Sequence, residues 1–118
     1  MAKILIVDDN EDLREFFSVL LKKYGYETRT AISRDEIDSH LTLFNPALIL
    51  LDVMLNKEDG RDLCQEIKTS RNIPIILLSG NPKALVNYAS YKADDIIEKP
   101  FGIQEVLSKI KRLITNNN

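Results

Sequence analysis

Short apolar runs alternate along this chain with longer stretches in which apolar residues recur every three or four positions. The runs occupy residues 4–7, 26–31, 47–51, 73–78 and 95–98. Runs of this length are too short to span a membrane and are typical of buried strands, whereas the longer stretches predict amphipathic helices. Residues 26–31 are more polar, which favours a strand nearer an edge. Five strands alternating with five helices predict an α/β fold, a doubly wound parallel sheet with helices on both faces.

Capping residues place the ends of the first two helices. Asn10 is suited to cap the first helix, and Gly25 stands where a left-handed residue commonly ends one. Ser33 and Glu36 have the spacing of a capping box, which predicts a second helix continuing through Phe44.

The second half of the chain has weaker boundary signals. We expect a polar loop over residues 56–60, a third helix ending near residues 71–72, and a frayed tail over residues 115–118. Asn81 and Pro82 predict the start of a short fourth helix. The helical spacing places its packed side at Leu85, Val86 and Ala89.

Composition narrows the class of protein. The 118 residues fit one domain, residues 1–118, with no separate output domain expected in this chain. The net charge of −2 and the scattered basic residues argue against direct nucleic-acid binding. Cys64 is the only cysteine, which excludes an internal disulfide and fits a reducing compartment. With no apolar run long enough for a bilayer or a signal peptide, we expect a soluble cytoplasmic protein without membrane contact.

Polar side chains stand at the ends of four predicted strands. Asp8 and Asp9 follow the first strand, Asp52 the third, Ser79 the fourth and Lys99 the fifth. Because the carboxyl ends of parallel strands meet in one crevice, we expect these groups to lie close together. Three carboxylates repel one another unless a cation neutralises them, and an all-oxygen ligand set favours Mg²⁺. A hydroxyl and an ammonium beside a central carboxylate suit a phosphoryl group carried on Asp52.

These residues and their neighbours resemble the receiver domain of response regulators in two-component signalling. The likeness covers the whole chain, and its separate motifs are weak alone but strong in this order. They are Asp8-Asp9, Asp52 with Met54-Leu55 and Asp59-Gly60 after it, Ser79, and Asp95 leading to Lys99-Pro100-Phe101. The resemblance implies a flavodoxin-like (CheY-like) sheet in the strand order 2-1-3-4-5.

The resemblance also implies a chemistry. Asp52 would accept a phosphoryl group from the phosphohistidine of a sensor histidine kinase or histidine phosphotransfer protein. Mg²⁺ would be held by Asp9, Asp52 and the backbone carbonyl of Met54, with Asp8 acting through water. Ser79 and Lys99 would report the phosphoryl group to the rest of the fold and, through it, to a downstream protein partner. A cis bond between Lys99 and Pro100 is expected, because it turns the lysine into the crevice.

The chain departs from the family pattern mainly at positions that would transmit the effect of phosphorylation to the surface. Ile96 stands where the family usually keeps a Tyr or Phe that swings inward on activation, and Gly80 where alanine is most common. Asn56 replaces a common proline, Lys92 stands near a usual glycine, and the segment from Ser79 to Lys99 is about two residues short. We therefore expect the response to be carried by the loop at residues 79–82, where Gly80 offers backbone freedom, and not by Ile96.

Two other functions fit parts of the sequence. One is a receiver-like interaction module that never turns over phosphate, although such a module has no physical need for repelling carboxylates beside a lysine. The other is an aspartate-nucleophile phosphohydrolase, similar to the haloacid dehalogenase group, but the chain lacks that group's Asp-x-Asp pattern and has no room for a cap domain. Nucleotide or flavin binding is disfavoured because no glycine-rich loop follows the first strand.

Four remaining side chains have ordinary structural interpretations. We expect His40 to be an exposed helix residue and Cys64 to be half-buried packing. Tyr88 and Tyr91 are expected to pack against the neighbouring helix, although exposed aromatic rings there would also suit a partner surface.

Overall fold

The computed structural model describes residues 2–116, which form an alternation of strands and helices. In chain order the elements are β1 (Lys3–Val7), α1 (Glu11–Lys23), β2 (Glu27–Ala31), α2 (Arg34–Leu43), β3 (Leu48–Asp52), β4 (Met54–Leu55), β5 (Glu58–Asp59), α3 (Gly60–Ser70), β6 (Ile75–Ser79), α4 (Pro82–Leu85), the 3-10 helix η1 (Tyr88–Tyr91), β7 (Asp95–Glu98) and α5 (Ile103–Asn116). None of the helices in residues 2–116 is long and apolar enough to cross a membrane.

The five main strands form one parallel sheet in the order β2-β1-β3-β6-β7. Counted among the main strands alone, this is the order 2-1-3-4-5, so the predicted flavodoxin-like fold is confirmed. The more polar strand β2 lies at an edge, as its composition indicates, and β3 lies in the middle with all five of its residues buried.

The alternation of side chains along the strands divides the core into two layers. Leu5 and Val7 of β1 contribute to one cluster, together with residues of α2, α3 and α4. Ile4 and Ile6 point to the opposite face and contribute to a second cluster with residues of α1 and α5. Because successive residues of a strand face opposite sides, the apolar central strands serve both layers.

The predicted caps of the first two helices are present. The Asn10 side chain accepts a hydrogen bond from the Leu13 N–H at 3.1 Å, and the Ser33 hydroxyl accepts one from the Glu36 N–H at 3.4 Å. Gly25 has a φ of 93°, the left-handed conformation expected after α1. The Asn81 side chain likewise accepts from the Lys83 N–H at 3.1 Å and caps α4.

The prediction for the fourth helix was wrong beyond its first turn. The helix ends at Leu85, and Val86 has extended backbone with its side chain 62% exposed. Asn87 then takes the left-handed conformation at a φ of 63° and precedes η1. Val86 and Ala89 are therefore exposed, and the buried residues of the helix are Ala84 and Leu85.

Two other boundaries differ from the sequence prediction. The expected polar loop at 56–60 contains the antiparallel hairpin of β4 and β5, and Gly60 already belongs to α3. Helix α5 continues through Thr115 and Asn116, so the frayed tail expected there was wrong for these two residues. Residues 117 and 118 lie outside the described residues.

The structure also shows the surroundings of Cys64, His40, Tyr88 and Tyr91, which we expected to have only structural roles. Cys64 is completely buried and not half-buried, and burial raises its pKa to about 12. His40 is half-buried and not exposed, because its ring packs nearly perpendicular to that of Phe44. Tyr88 packs against the core layer that includes residues of α2 and α3. The Tyr91 ring lies beneath the guanidinium of Arg61 in α3, so both tyrosines pack against neighbouring elements as expected.

The outer edge of β7 is occupied by side chains of the same chain. The Ile96 carbonyl accepts a hydrogen bond from Lys109 Nζ at 2.6 Å, and the Ile96 N–H donates to Asp95 Oδ1 at 2.8 Å. Asp95 also forms an ion pair with Arg112 of α5. The backbone groups of this edge residue are therefore satisfied without a neighbouring strand.

Candidate functional site

The carboxyl ends of the central strands bring the predicted acidic residues together. Asp8 directly follows β1, and Asp52 is the last residue of β3, which pairs with β1 in parallel. One carboxylate oxygen each of Asp8, Asp9 and Asp52 lies within 4.8 Å of the others. The side chains of Asp8 and Asp52 are almost fully buried, at 3% and 6% exposed. Three acids thus converge at one place, and water gives two of them little screening.

Lys99 is the cation that faces this acidic group. It directly follows β7, and its Nζ lies 3.3 Å from Asp52 Oδ1 and 3.7 Å from Asp8 Oδ2. The Lys99-Pro100 peptide bond is cis, as expected from the sequence. One ammonium therefore opposes three carboxylates, and the site carries an excess of negative charge.

The electrostatics of Asp52 follow from this arrangement. Burial raises its pKa to about 6, and the Asp8 carboxylate adds to the rise, while Lys99 opposes it by charge and by hydrogen bonding. Near neutral pH the group is still mainly ionised, and its negative charge is destabilising at this position. A bound cation would relieve that cost.

A turn after β1 fixes the acidic pair. The Asn10 N–H donates to Asp8 Oδ1 at 3.0 Å, which leaves the other oxygen facing Lys99. Arg14, one turn into α1, donates from Nη1 to the Asp8 backbone carbonyl at 2.8 Å. The sequence prediction missed Arg14, although its position on the first helix after the acidic pair was a signal that could have suggested it.

The chain returns over Asp52 through the hairpin of β4 and β5. The Gly60 N–H donates to the Val53 carbonyl at 2.7 Å, and an added Cβ at Gly60 would lie 2.1 Å from the Asp52 carbonyl oxygen. Only glycine allows the two backbones to approach this closely. In the hairpin register, Met54 is paired with Asp59, and the Met54 side chain is 71% exposed.

These elements surround an open depression of about 370 Å³ at the end of the sheet. Its lining residues are Asp8, Asp9, Asn10, Asp52, Met54, Leu55, Asn56 and Lys99. The donor groups are carboxylate oxygens, with amide oxygens nearby and no thiolate or imidazole in the lining. This set suits Mg²⁺, a hard cation that takes oxygen ligands and retains several waters.

Ser79 lies at the same end of the sheet, but its hydroxyl is bonded to the loop that follows β6 and does not line the depression. It is the last residue of β6, is 1% exposed, and accepts the Asn81 N–H on its hydroxyl at 3.0 Å. Its backbone carbonyl accepts from the Lys99 N–H at 2.9 Å. The structure thus links Ser79 to Lys99 and to the α4 cap, whereas its side chain is not part of the lining of the depression.

Gly80 and Lys92, two departures from the family pattern, differ in backbone conformation. Gly80 does not adopt a positive φ, and an added Cβ would meet only the Lys99 Cβ at 4.0 Å, so the special freedom expected of it is not used in this conformation. Lys92, which stands near a usual glycine of the family, has a φ of 66°. The backbone there keeps a conformation that glycine adopts most easily.

Comparison with known proteins identifies the family. The family model described as the response regulator receiver domain matches residues 4–111. The chain belongs to this family. It is a receiver domain of the kind that serves response regulators in two-component systems.

Individual relatives agree with this assignment. The receiver is 37% identical over 114 residues to the "Probable transcriptional regulator ycf27" of Cyanophora paradoxa, covering 95% of this chain and 48% of that protein. It is 36% identical over 116 residues to the transcriptional regulatory protein YxdJ of Bacillus subtilis (strain 168), covering 97% of this chain and 51% of that protein. The chain therefore spans about half the length of these curated relatives.

A solved structure supports the same fold. The receiver domain of NtrX from Brucella abortus superposes with a TM-score of 0.87 at 33% identity, covering 95% of this chain and 98% of that chain. The likeness extends across the whole sheet and its helices, so the receiver fold described above is shared and not limited to the site.

The raised pKa of Asp52 gives a pH-dependent stability. The folded protein holds this proton more tightly than the unfolded chain, with a pKa of about 6 against 3.8. The stabilisation from the bound proton is therefore complete below about pH 4 and is lost as the pH rises through 6. We expect Asp52→Asn, which stays neutral, to become more stable than the wild type by about 1 to 3 kcal/mol between pH 4 and pH 7. Urea unfolding in EDTA measures this, and a stability difference that does not change with pH would contradict it.

The close approach at Gly60 predicts a specific loss of stability. Gly60→Ala places a methyl group against the Asp52 backbone, and we expect the free energy of unfolding to fall by about 1 to 3 kcal/mol or more. Gly102→Ala is the matched control, because an added Cβ there meets nothing within 4 Å. Urea unfolding of both variants tests the difference, and equal stabilities would show that the hairpin can shift freely.

Proposed function

We propose that this receiver accepts a phosphoryl group on Asp52 in a Mg²⁺-dependent reaction and signals through a change in its surface. The observation that supports the proposal most strongly is the position of Asp52. Its carboxylate ends the central strand, is nearly buried, and lies between the acidic pair and Lys99. Burial and the Asp8 carboxylate together raise the pKa of Asp52, although Lys99 opposes them, and a raised pKa at a crevice is typical of a functional acid.

The metal in this proposal is Mg²⁺. Asp9, Asp52 and the backbone carbonyl of Met54 would bind it directly, and Asp8 would act through water. All four residues line the depression at the end of the sheet. When bound, the ion supplies positive charge that offsets the three acids and the oxygens of an incoming phosphoryl group.

The transfer itself follows from the charges in the site. An Asp52 oxygen attacks phosphorus, the bond from phosphorus to the donor's imidazole nitrogen breaks, and the imidazole leaves with its electron pair. Lys99 Nζ, already 3.3 Å from Asp52, would stabilise the transferring oxygens. The Ser79 hydroxyl would turn towards the same oxygens from its present bond with the Asn81 N–H.

The partners we propose are a sensor histidine kinase or histidine phosphotransfer protein as donor and a downstream protein as target. The relatives named above are called transcriptional regulators, and each is about twice as long as this chain. With a net charge of −2 on the chain, we place any contact with DNA outside this domain. An interaction module without phosphate turnover is the alternative function.

Phosphorylation from a small-molecule donor tests the proposed function. After incubation with acetyl phosphate and Mg²⁺, we expect the intact mass to rise by one phosphoryl group. Asp52→Ala should remove the gain because alanine offers no oxygen to attack phosphorus. Omitting Mg²⁺, or adding EDTA, should have the same effect. A labelled Asp52→Ala protein would refute the choice of acceptor, and an unlabelled wild type would favour the interaction module.

The contacts of Ser79 predict where the response occurs. If its hydroxyl turns to the phosphoryl group, the bond to the Asn81 N–H weakens, and Asn81 is also the cap of the four-residue helix α4. With beryllofluoride as a phosphoryl mimic, we expect amide shifts to concentrate in residues 79–91 and around Asp52. The Ile96 methyl signals should change little, because its branched side chain has a stiff first torsion and packs against the core.

Asp52→Ala with the same reagents is the control and should show none of these shifts. A large rotamer change at Ile96 beside an unchanged loop at 79–82 would contradict the prediction. That result would mean that the fifth main strand carries the response even without an aromatic residue.

A further inference from the structure

Arg61, near the start of α3, contacts two parts of the protein that lie far apart in the sequence. Its Nε lies 3.0 Å from Asp59 Oδ1, and its Nη2 lies 2.6 Å from Asp59 Oδ2, so the carboxylate is held by two hydrogen bonds. On the other side, the guanidinium carbon lies 5.5 Å from the centre of the Tyr91 ring. The side chains of Arg61 and Asp59 are only 29% and 33% exposed.

Asp59 connects this ion pair to the proposed metal site. It is the residue paired directly with Met54 in the hairpin of β4 and β5. Its Oδ1 also accepts the Arg61 N–H at 2.9 Å and so caps α3. An Asp59 side chain held by Arg61 in this way restrains the strand that pairs with Met54.

Tyr91 connects the same ion pair to the segment between Ser79 and Lys99. It is the last residue of η1, and the residues on either side of η1, Asn87 and Lys92, both have left-handed backbone. The helix η1 is also held by the packing of Tyr88 against the core. The contact of Tyr91 with Arg61 adds a connection to the start of α3.

We infer that Arg61 is a positioning residue that orients the Met54 carbonyl through Asp59 and couples the metal site to η1 through Tyr91. This inference rests on the proposed function, because it assigns a role in the binding of Mg²⁺. Arg61 does not contact the metal or the phosphoryl group. It acts on the hairpin that supplies one of the ligands.

The chemistry of the contact requires arginine. A planar guanidinium bonds both oxygens of a carboxylate in one plane and still presents its face to an aromatic ring. A lysine would keep the charge but could not do both at once. The hydrogen bonds from Arg61 also hold the pKa of Asp59 below its usual range, so the pair stays ionised over a wide range of pH.

The test compares two arginine substitutions by Mg²⁺ titration, followed by NMR at the Met54 amide and the Tyr91 ring. In the wild type, we expect Mg²⁺ to shift both signals. In Arg61→Lys, we expect Mg²⁺ to bind about tenfold more weakly and the shift at Tyr91 to disappear. Arg112→Lys is the matched control, because Arg112 pairs with Asp95 on β7, away from the hairpin, and both readouts should remain as in the wild type.

Two substitutions of Tyr91 separate coupling from general destabilisation. Tyr91→Phe keeps the ring face and should bind Mg²⁺ as the wild type does. Tyr91→Leu removes that face and should weaken binding about two- to fivefold. Because these changes leave Arg61 and Asp59 in place, they test whether Tyr91 is coupled to Mg²⁺ binding even if Arg61→Lys does not fold.

The possible outcomes distinguish the two proposals. If the wild type fails to bind Mg²⁺ at millimolar concentration, the proposed function fails and the inference fails with it. If the wild type binds Mg²⁺ but Arg61→Lys and Tyr91→Leu bind equally well, with the Tyr91 signal still shifting in the arginine variant, the inference alone is wrong. Weaker binding in Tyr91→Leu, with full rescue by Tyr91→Phe, supports it.

Discussion

The central constraint on this structure is the repulsion between carboxylates at the end of the middle strand, β3. Asp52 is held beside Asp8 and Asp9 in a place that water reaches poorly, and one lysine does not balance three acids. The fold keeps them there because the strands on which they stand are apolar on both faces and form the core. This excess of negative charge makes the resting state electrostatically unfavourable, and in the function proposed above a bound cation would offset it.

Much of the fold and of the site follows from simple features of the sequence. The strands are recognisable because each is short, apolar and bounded by polar residues, and their parallel arrangement brings Asp8, Asp52 and Lys99 to one edge without any further information. The capping roles of Asn10 and Ser33 were also predictable, since a cap depends on the few residues next to it.

The features that the sequence did not predict depend on contacts that local patterns do not contain. Helical spacing suggested Val86 and Ala89 as packed residues, but the helix ends at Leu85, followed by extended backbone at Val86 and a left-handed residue at Asn87. The hairpin of β4 and β5 has two residues in each strand, too few for a periodic pattern. The contact between Arg61 and Tyr91 joins positions 30 apart, which no sequence window reveals.

The occupied edge of β7 has a consequence for molecular recognition. A sheet usually offers its outermost strand as a template on which an extended peptide can continue the ladder. Here Lys109 and Asp95 already satisfy the outward backbone groups of Ile96. A protein that contacts β7 at Ile96 would therefore have to recognise side chains and shape there, and not free backbone groups. The same hydrogen bonds disfavour pairing of β7 at Ile96 with a strand of another copy.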